Sequence, residues 1–251
     1  NVQVTGSTSD FEPDYVRDVM PVLSKLGCNA GICHGSKDGR NGFKLSLRGY
    51  DPIYDIRAFT DDLASRRVNI ASPDNSLILL KASASVPHEG GQLTKLGEDY
   101  YEILKSWISN GAKLEINSPR VTGIDLYPQN PVVQNIGDKQ QMRVIATYAN
   151  GEKRDVTAES FIETGNSDIA TTNKGGLVTT ARRGEAPMLA RFEGAYASTI
   201  VTVMGNRSGF EWKEMPHNNK VDEFVASKLK RTKTLPSGLS TDEEFLRRIY
   251  L

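Results

Sequence analysis

Cys28-Asn29-Ala30-Gly31-Ile32-Cys33-His34 puts two thiols five residues apart, with an imidazole directly after the second. They are the only 2 cysteines of the chain, too few for a disulfide framework and close enough to share one local task. Three chemistries use such a set. A c-type haem takes two thiols as thioether anchors for the porphyrin vinyl groups and an adjacent imidazole as an iron ligand. The usual spacing leaves two residues between the cysteines, and this chain has Asn29 to Ile32 between them. A local disulfide would close a short loop and contribute somewhat less than the ~3 kcal/mol expected for a fifteen-residue one. A zinc ion would need Cys28, Cys33, His34 and His88 to converge, whereas structural zinc sites normally separate their ligands by two or more residues.

An iron held by His34 takes a second axial ligand, commonly Met or His. Met20 is the only methionine in the first 120 residues, and it precedes Pro21 on the helix leading into the motif. His88, in Val86-Pro87-His88-Glu89-Gly90-Gly91, is the only histidine between residues 35 and 216. It stands in the segment before the last helix of this region, where a cytochrome's distal ligand normally lies. His34 and His88 are therefore the candidate axial pair, and two imidazoles hold iron at a lower potential than His with Met. Arg66, Arg67 and Lys81 are candidates for pairing haem propionates. The plainer reading of His88 is a polar turn residue before Gly90-Gly91. His217, in Met215-Pro216-His217-Asn218, has no identifiable partner.

Positioning these groups falls to a helical region over about residues 11–116. Tyr15, Val16, Val19, Met20, Leu23 and Leu26 recur at threes and fours, with Pro21 forcing a kink or restart and Gly27 closing the helix. Ser72-Pro73-Asp74 is a helix start, leading into Leu77, Ile78, Leu80 and Lys81. A third helix is predicted from about Glu98 to Asn110, its core face made by Tyr100, Tyr101, Ile103, Leu104, Trp107 and Ile108, with Gly111 after it. From about Arg120 the period becomes two, in short runs such as Val121–Leu126, Met142–Tyr148, Leu177–Val178, Leu189–Ala190 and Ile200–Val203. Asn150-Gly151 signals a type I′ hairpin, and Gly175-Gly176 a second turn. Seven or so short strands without a helix predict an antiparallel β-sandwich. Asp125, Asp155, Asp168 and Glu193 form no calcium-loop pattern and read as solvated charges.

After Gly205 the strands stop. Val221–Lys230 is amphipathic, and Glu243–Leu251 begins another helix whose apolar face needs a partner, so a longer protein is expected. Asn1–Asp10 lacks a basic and an apolar signal region and the chain does not begin with Met, as expected of a mature or trimmed product. The 251 residues allow one large domain or two ordinary ones. Lys plus Arg equals Asp plus Glu at 31 each, so no global field favours nucleic acid or an anionic membrane. No apolar run approaches the ~20 residues of a bilayer span.

The stretches VMPVLSKLGCNAGICHG, RRVNIASPDNSLILLKASASVPHEGG and LKSWISNGA resemble the cytochrome-c-like domain at the front of large planctomycete-type bacterial surface proteins. Residues 120–204 resemble a bacterial Ig-like domain of group 2. NKVDEFVASKLKRTKTLPSGLSTDEEFLRRIYL is similar to the opening of the domain of unknown function that follows in those proteins. The resemblance implies a multidomain α plus all-β chain: a helical class I cytochrome-c-like domain over 11–117, an Ig-like antiparallel β-sandwich over 119–205, and a linker with the truncated start of a helical domain over 206–251. It also implies one covalent haem c for electron transfer, with Cys28 and Cys33 as thioether residues, His34 as proximal ligand and His88 as distal ligand. Attachment of this kind takes place outside the bacterial inner membrane, so an exported protein of the periplasm or cell surface is expected. Its partner would be a redox protein or a small redox carrier. The competing expectation is a haem-free adhesion or polysaccharide-binding module stapled by a Cys28–Cys33 disulfide and meeting polysaccharide or another cell-surface component. An open iron position, if His88 does not ligate, would instead allow an enzyme acting on a small ligand or peroxide.

Overall fold

A computed structural model describes residues 11–62 and 65–251. The reading of Asn1–Asp10 lies outside these described residues. Residues 11–118 are helical with long connections, residues 121–203 are strands, and two further helices follow.

The first helix changes type where the sequence asks for a restart. Tyr15–Val19 is a turn of π-helix running into α1, Met20–Lys25. Pro21 has no N–H for the carbonyl four residues back, and the widened turn sits just before it. Asp14 caps the start by accepting from the Arg17 N–H at 2.7 Å, and Gly27 ends it at a φ of 82°. α2, Pro52–Thr60, begins at Asp51, whose carboxylate accepts from the Tyr54 N–H at 3.0 Å. The single helix predicted from Ser72 is divided into a 3-10 turn, Pro73–Asn75, and α3, Leu77–Ala82. Ser76 between them is extended and fully buried. Its hydroxyl accepts from the Asn69 N–H, while the Leu77 and Ile78 N–H groups donate to the Arg66 and Arg67 carbonyls at 2.9 and 3.2 Å. The preceding segment thus supplies the acceptors that an unbroken helix would have supplied. α4, Asp99–Ser109, lays Tyr101, Leu104, Trp107 and Ile108 into a core with Tyr15, Val19, Leu23, Leu45, Phe59 and Leu79.

The strands are β1 (Val121–Tyr127), β2 (Val132–Val133), β3 (Lys139–Gln141), β4 (Arg143–Tyr148), β5 (Lys153–Asp155), β6 (Phe161–Thr164), β7 (Ala170–Thr172), β8 (Leu177–Thr180), β9 (Gly184–Phe192) and β10 (Ala195–Val203). They form sheets in the orders β1-β4-β5, β2-β10-β9-β6 and β3-β8-β7. Pairing is antiparallel throughout except for β2 against β10, which is parallel. Alternate residues turn inward, so Leu126, Val144, Ala146, Val178, Met188, Ala190 and Val201 share a second core, distinct from the helical one.

The hairpin at Asn150-Gly151 differs from the type I′ expectation. Only Gly151 takes a positive φ, 82°. Its N–H donates to the Tyr148 carbonyl at 2.8 Å, and the Tyr148 N–H to the Glu152 carbonyl at 2.9 Å. This is the three-residue loop in which a type I turn is followed by a left-handed glycine. Asn150 is spent as an acceptor for the Glu152 N–H at 3.0 Å, which removes the need for a left-handed asparagine. The Asn173–Leu177 turn repeats the pattern, with Gly176 at 78°.

α5, Lys220–Arg231, begins with a capping box at Asn219 and Asp222 and meets β9 through Glu185, which receives Lys228 and Arg231. α6, Asp242–Ile249, has no buried residue and leaves Phe245, Leu246 and Ile249 exposed. Among the described residues no helix is long and apolar enough to cross a membrane.

Candidate functional site

The chain leaves α1 into a tightly bonded loop. The Cys28 N–H donates back to the Leu23 carbonyl at 2.9 Å, the Cys33 N–H to Ala30 at 2.9 Å, and the His34 N–H to the Cys28 carbonyl at 3.0 Å. Asn29, buried at the centre, donates to Ser24 Oγ at 2.9 Å, while its carbonyl accepts from the Arg48 N–H at 3.0 Å. Gly35 is required by close approach, since a Cβ there would lie 2.0 Å from the Asn29 carbonyl oxygen. The cysteines and His34 therefore sit on a backbone with little freedom.

Both cysteines are free thiols, so the disulfide of the competing expectation is not the form this structure holds. Cys28 packs against the helical core. Burial, then the nearness of Cys33, push its pKa up to about 12.

His34 is half-buried. Its Nδ1 meets the Phe43 carbonyl at 3.0 Å and its ring lies 4.7 Å from the Phe43 ring. Burial lowers its pKa, the Phe43 carbonyl opposes that shift, and His88, Arg67 and Arg40 add charge repulsion in the same direction as burial. His34 and His88, fifty-four positions apart in the chain, are thus brought within electrostatic reach of each other. His88 holds its own Nδ1 3.1 Å from the Gly91 carbonyl. A Cβ at Gly90 would sit 2.8 Å from His88 Cε1, so the glycine makes room for the ring. Each imidazole is anchored through Nδ1, which leaves Nε2 as the nitrogen available for a metal. Lys81 steadies the segment by donating to the Pro87 carbonyl.

Other sequence candidates are used elsewhere. Met20 is buried against Gly49, in the core. Arg67 is turned inward, donating to the Ala58 and Gly42 carbonyls at 2.6 and 2.8 Å, pairing with Asp62 and lying 4.6 Å over the Phe43 ring. It supports the strand of chain that tethers His34 and is not free for a propionate. Arg66 is exposed. Among the described residues no three His, Cys, Asp or Glu side chains converge as a metal-holding group, which leaves the zinc arrangement without its ligand set. A haem asks less of the chain, two axial ligands, because the porphyrin supplies four nitrogens. Cys28, Cys33 and the anchored His34 belong to one loop, and the anchored His88 stands in the segment before α4. His217 lies 3.9 Å from Glu214 in the segment before α5.

The sequence did not reveal a ring series running inward from His34. Phe43 to Phe59 is 5.3 Å, Phe59 to Trp107 6.0 Å and Trp107 to Tyr15 5.3 Å between centroids. Phe43 and Phe59 fall outside the helices read from periodicity, although Asp51-Pro52 carries the same start signal as Ser72-Pro73 and marks α2. Near Tyr15 a cavity of about 60 Å³ is lined by Val16, Arg17, Arg120, Tyr148, Phe192 and Glu193. Glu193 corrects the reading of a solvated acid: burial raises its pKa to about 7, with Arg120 opposing.

No family model matches the chain. No curated protein matches it. Among solved structures, domains 5-6 of the S-layer protein SbsC overlap 34% of this chain and 44% of theirs at 18% identity and a TM-score of 0.29. SbsC domains 4 and 5 overlap 36% of this chain and 54% of theirs at 19% identity and 0.30. SbsC domains 1-6 overlap 38% and 14% at 17% identity and 0.31. In each case less than two thirds of the compared chain is spanned, and overlaps of this kind leave function to be argued from the residues.

Proposed function

We propose that residues 11–117 form a cytochrome-c-like domain that holds one covalent haem c and passes single electrons. Residues 119–205 are then an Ig-like sandwich acting as spacer or docking surface, and residues 206–251 open a further helical part. Cys28 and Cys33 would carry the thioether links, and His34 and His88 the axial positions. The observation that carries this reading is the paired anchoring of the two imidazoles. His34 Nδ1 on the Phe43 carbonyl and His88 Nδ1 on the Gly91 carbonyl fix both tautomers with Nε2 left for iron. Burial keeps His34 neutral, the form that ligates.

Bound haem supplies a one-electron iron couple, and the chain's part is to hold, orient and tune. Arg67 fixes the Gly42–Phe43 segment through the Gly42 carbonyl and the Phe43 ring, so the acceptor for His34 does not drift. The ring series behind His34 excludes water from that side. An exported protein of the periplasm or cell surface follows from where such haem is attached, with a redox protein or small carrier as partner.

The test is expression with cytochrome c maturation machinery, followed by intact mass and visible spectra of oxidised and reduced protein. A mass gain of one haem and low-spin bands that become high-spin in His88→Ala support the bis-histidine site. A colourless protein with the mass of the bare chain, or of the chain less two hydrogens, overturns it and favours the haem-free binding module.

A further inference from the structure

Ile32 stands between the two cysteines and is 80% exposed, and Leu47 is 52% exposed. A Cβ on Gly31 would lie 3.7 Å from Leu47 Cδ1, so Leu47 reaches the cysteine loop next to Ile32. Backbone bonds fix this arrangement. The Arg48 N–H donates to the Asn29 carbonyl at 3.0 Å and the Leu45 N–H to the His34 carbonyl at 2.8 Å. Two apolar side chains thus face solvent on the loop that carries Cys28, Cys33 and His34.

The charges around them are mostly of one sign. Between Ile32 and Tyr50 the chain places Lys37, Arg40, Lys44 and Arg48 against one acid, Asp38, although the whole chain has zero net charge. All four cations are exposed, and among the described residues none forms a salt bridge. Arg40 is held at Ile32, whose carbonyl accepts from its Nη2 at 3.2 Å, and Lys44 Nζ lies 5.9 Å from the centre of the Tyr54 ring. Arg48 occupies the left-handed region at a φ of 56°, a conformation that is strained for an arginine. The acids that follow are engaged elsewhere, Asp51 on the Tyr54 N–H and Asp55 on Ser46.

We propose that this face docks a redox protein through an acidic surface, with Ile32 and Leu47 as the dry centre of the contact and Lys37, Arg40, Lys44 and Arg48 as its charged rim. The inference rests on the haem reading and names the partner of that site. An apolar centre within a rim of one charge suits a protein surface, whose own apolar patch covers the centre while its carboxylates meet the rim. Unpaired cations steer an acidic partner and hold it weakly, so the contact is fast, small and sensitive to salt, as electron-transfer encounters are.

The experiment is NMR titration of the full, isotope-labelled chain with an acidic flavodoxin as probe, at low and at high sodium chloride, and with a basic protein and a polyuronate oligosaccharide as comparisons. Amide shifts centred on Ile32 and Leu47 are expected with the flavodoxin, lost at high salt and absent with the basic protein. Arg48→Glu and Lys44→Glu should each weaken binding about tenfold, the scale of one reversed rim charge. Both side chains are exposed, and the wild-type shift map stands without either variant. No shifts with the flavodoxin, shifts centred elsewhere, or equal affinity of wild type and both variants would overturn the surface. Equal shifts with the polyuronate would make it a general polyanion site and overturn the protein partner. The haem reading fails separately, by a colourless protein of bare-chain mass, and the titration is read on loaded or unloaded chain alike.

Discussion

Arg154, on β5, reaches Asp18 on the π-helical turn, its Nη1 2.9 Å from Asp18 Oδ1, and the Asp18 side chain is only 2% exposed. The other carboxylate oxygen receives Arg17 at 3.1 Å and the Asp14 N–H at 2.9 Å. The Arg154 contact is close without being aligned as a hydrogen bond. Together with Tyr100, which donates to the Ala158 carbonyl at 2.7 Å, it joins the helical residues to the strands.

Removing Arg154 leaves Asp18 buried with one cation where it had two. Arg154→Met is expected to lower stability by about 2 kcal/mol, within the range for losing a charged partner of a buried group. Urea unfolding of wild type, Arg154→Met, Asp18→Asn and the double variant measures the coupling. A coupling near zero would make the contact incidental.

The two cores predict separable damage. Trp107→Ala opens the helical core and should cost about 3–5 kcal/mol there, while Leu126→Ala should cost about 2–5 kcal/mol in the strands. Hydrogen exchange, read separately over residues 11–118 and 121–203, should show each loss confined to its own half. Uniform loss of protection from either substitution would show instead that the halves unfold together.

Glu193 makes stability depend on pH. Its neutral form is favoured by burial, raising the pKa from 4.5 to about 7. The folded protein therefore binds the proton more tightly than the unfolded chain. The stabilising contribution is complete below about pH 4.5 and is lost as pH rises through about 7, on the order of 3 kcal/mol in total. Wild type minus Glu193→Gln, compared by thermal unfolding from pH 4.5 to 8, isolates this contribution. A difference that does not change across that range counts against it.

Gly49 lies against Met20. With a φ of 73° and a Cβ position 2.4 Å from Met20 Cγ and Sδ, Gly49→Ala has neither the backbone freedom nor the space. A loss of about 1–3 kcal/mol is expected, and Met20→Ala in the same chain should recover the steric part only. Thermal melts of the single and double variants check this. An unchanged melting temperature in Gly49→Ala would show that the methionine yields.

Much of the secondary structure was legible because its signals are local. Gly27 and Gly111 stop helices at positive φ, and the apolar face of α4 shows in the spacing of Tyr101, Leu104, Trp107 and Ile108. The short polar strands Lys139–Gln141 and Lys153–Asp155 carry weak signals of their own and are held by pairing with β8 and β4. The division at Ser76 depends on carbonyls from Arg66 and Arg67, a contact that periodicity does not contain. At the candidate site, the residue types were readable and their tethers were not. That Phe43 and Gly91 supply the carbonyls for the two imidazoles, or that Arg67 is spent inside, follows from how distant segments pack.

The state of the Cys28 sulfur sets an order of events for assembly. A thiol whose pKa is pushed up to about 12 is almost wholly protonated at neutral pH, and the thiolate is the reactive form. Once α1 has packed and the loop has closed, this sulfur is chemically quiet. A bond to it, whether to a porphyrin or to Cys33, forms faster while the chain is still open than after it has folded. The finished fold then acts as a seal on whichever chemistry came first.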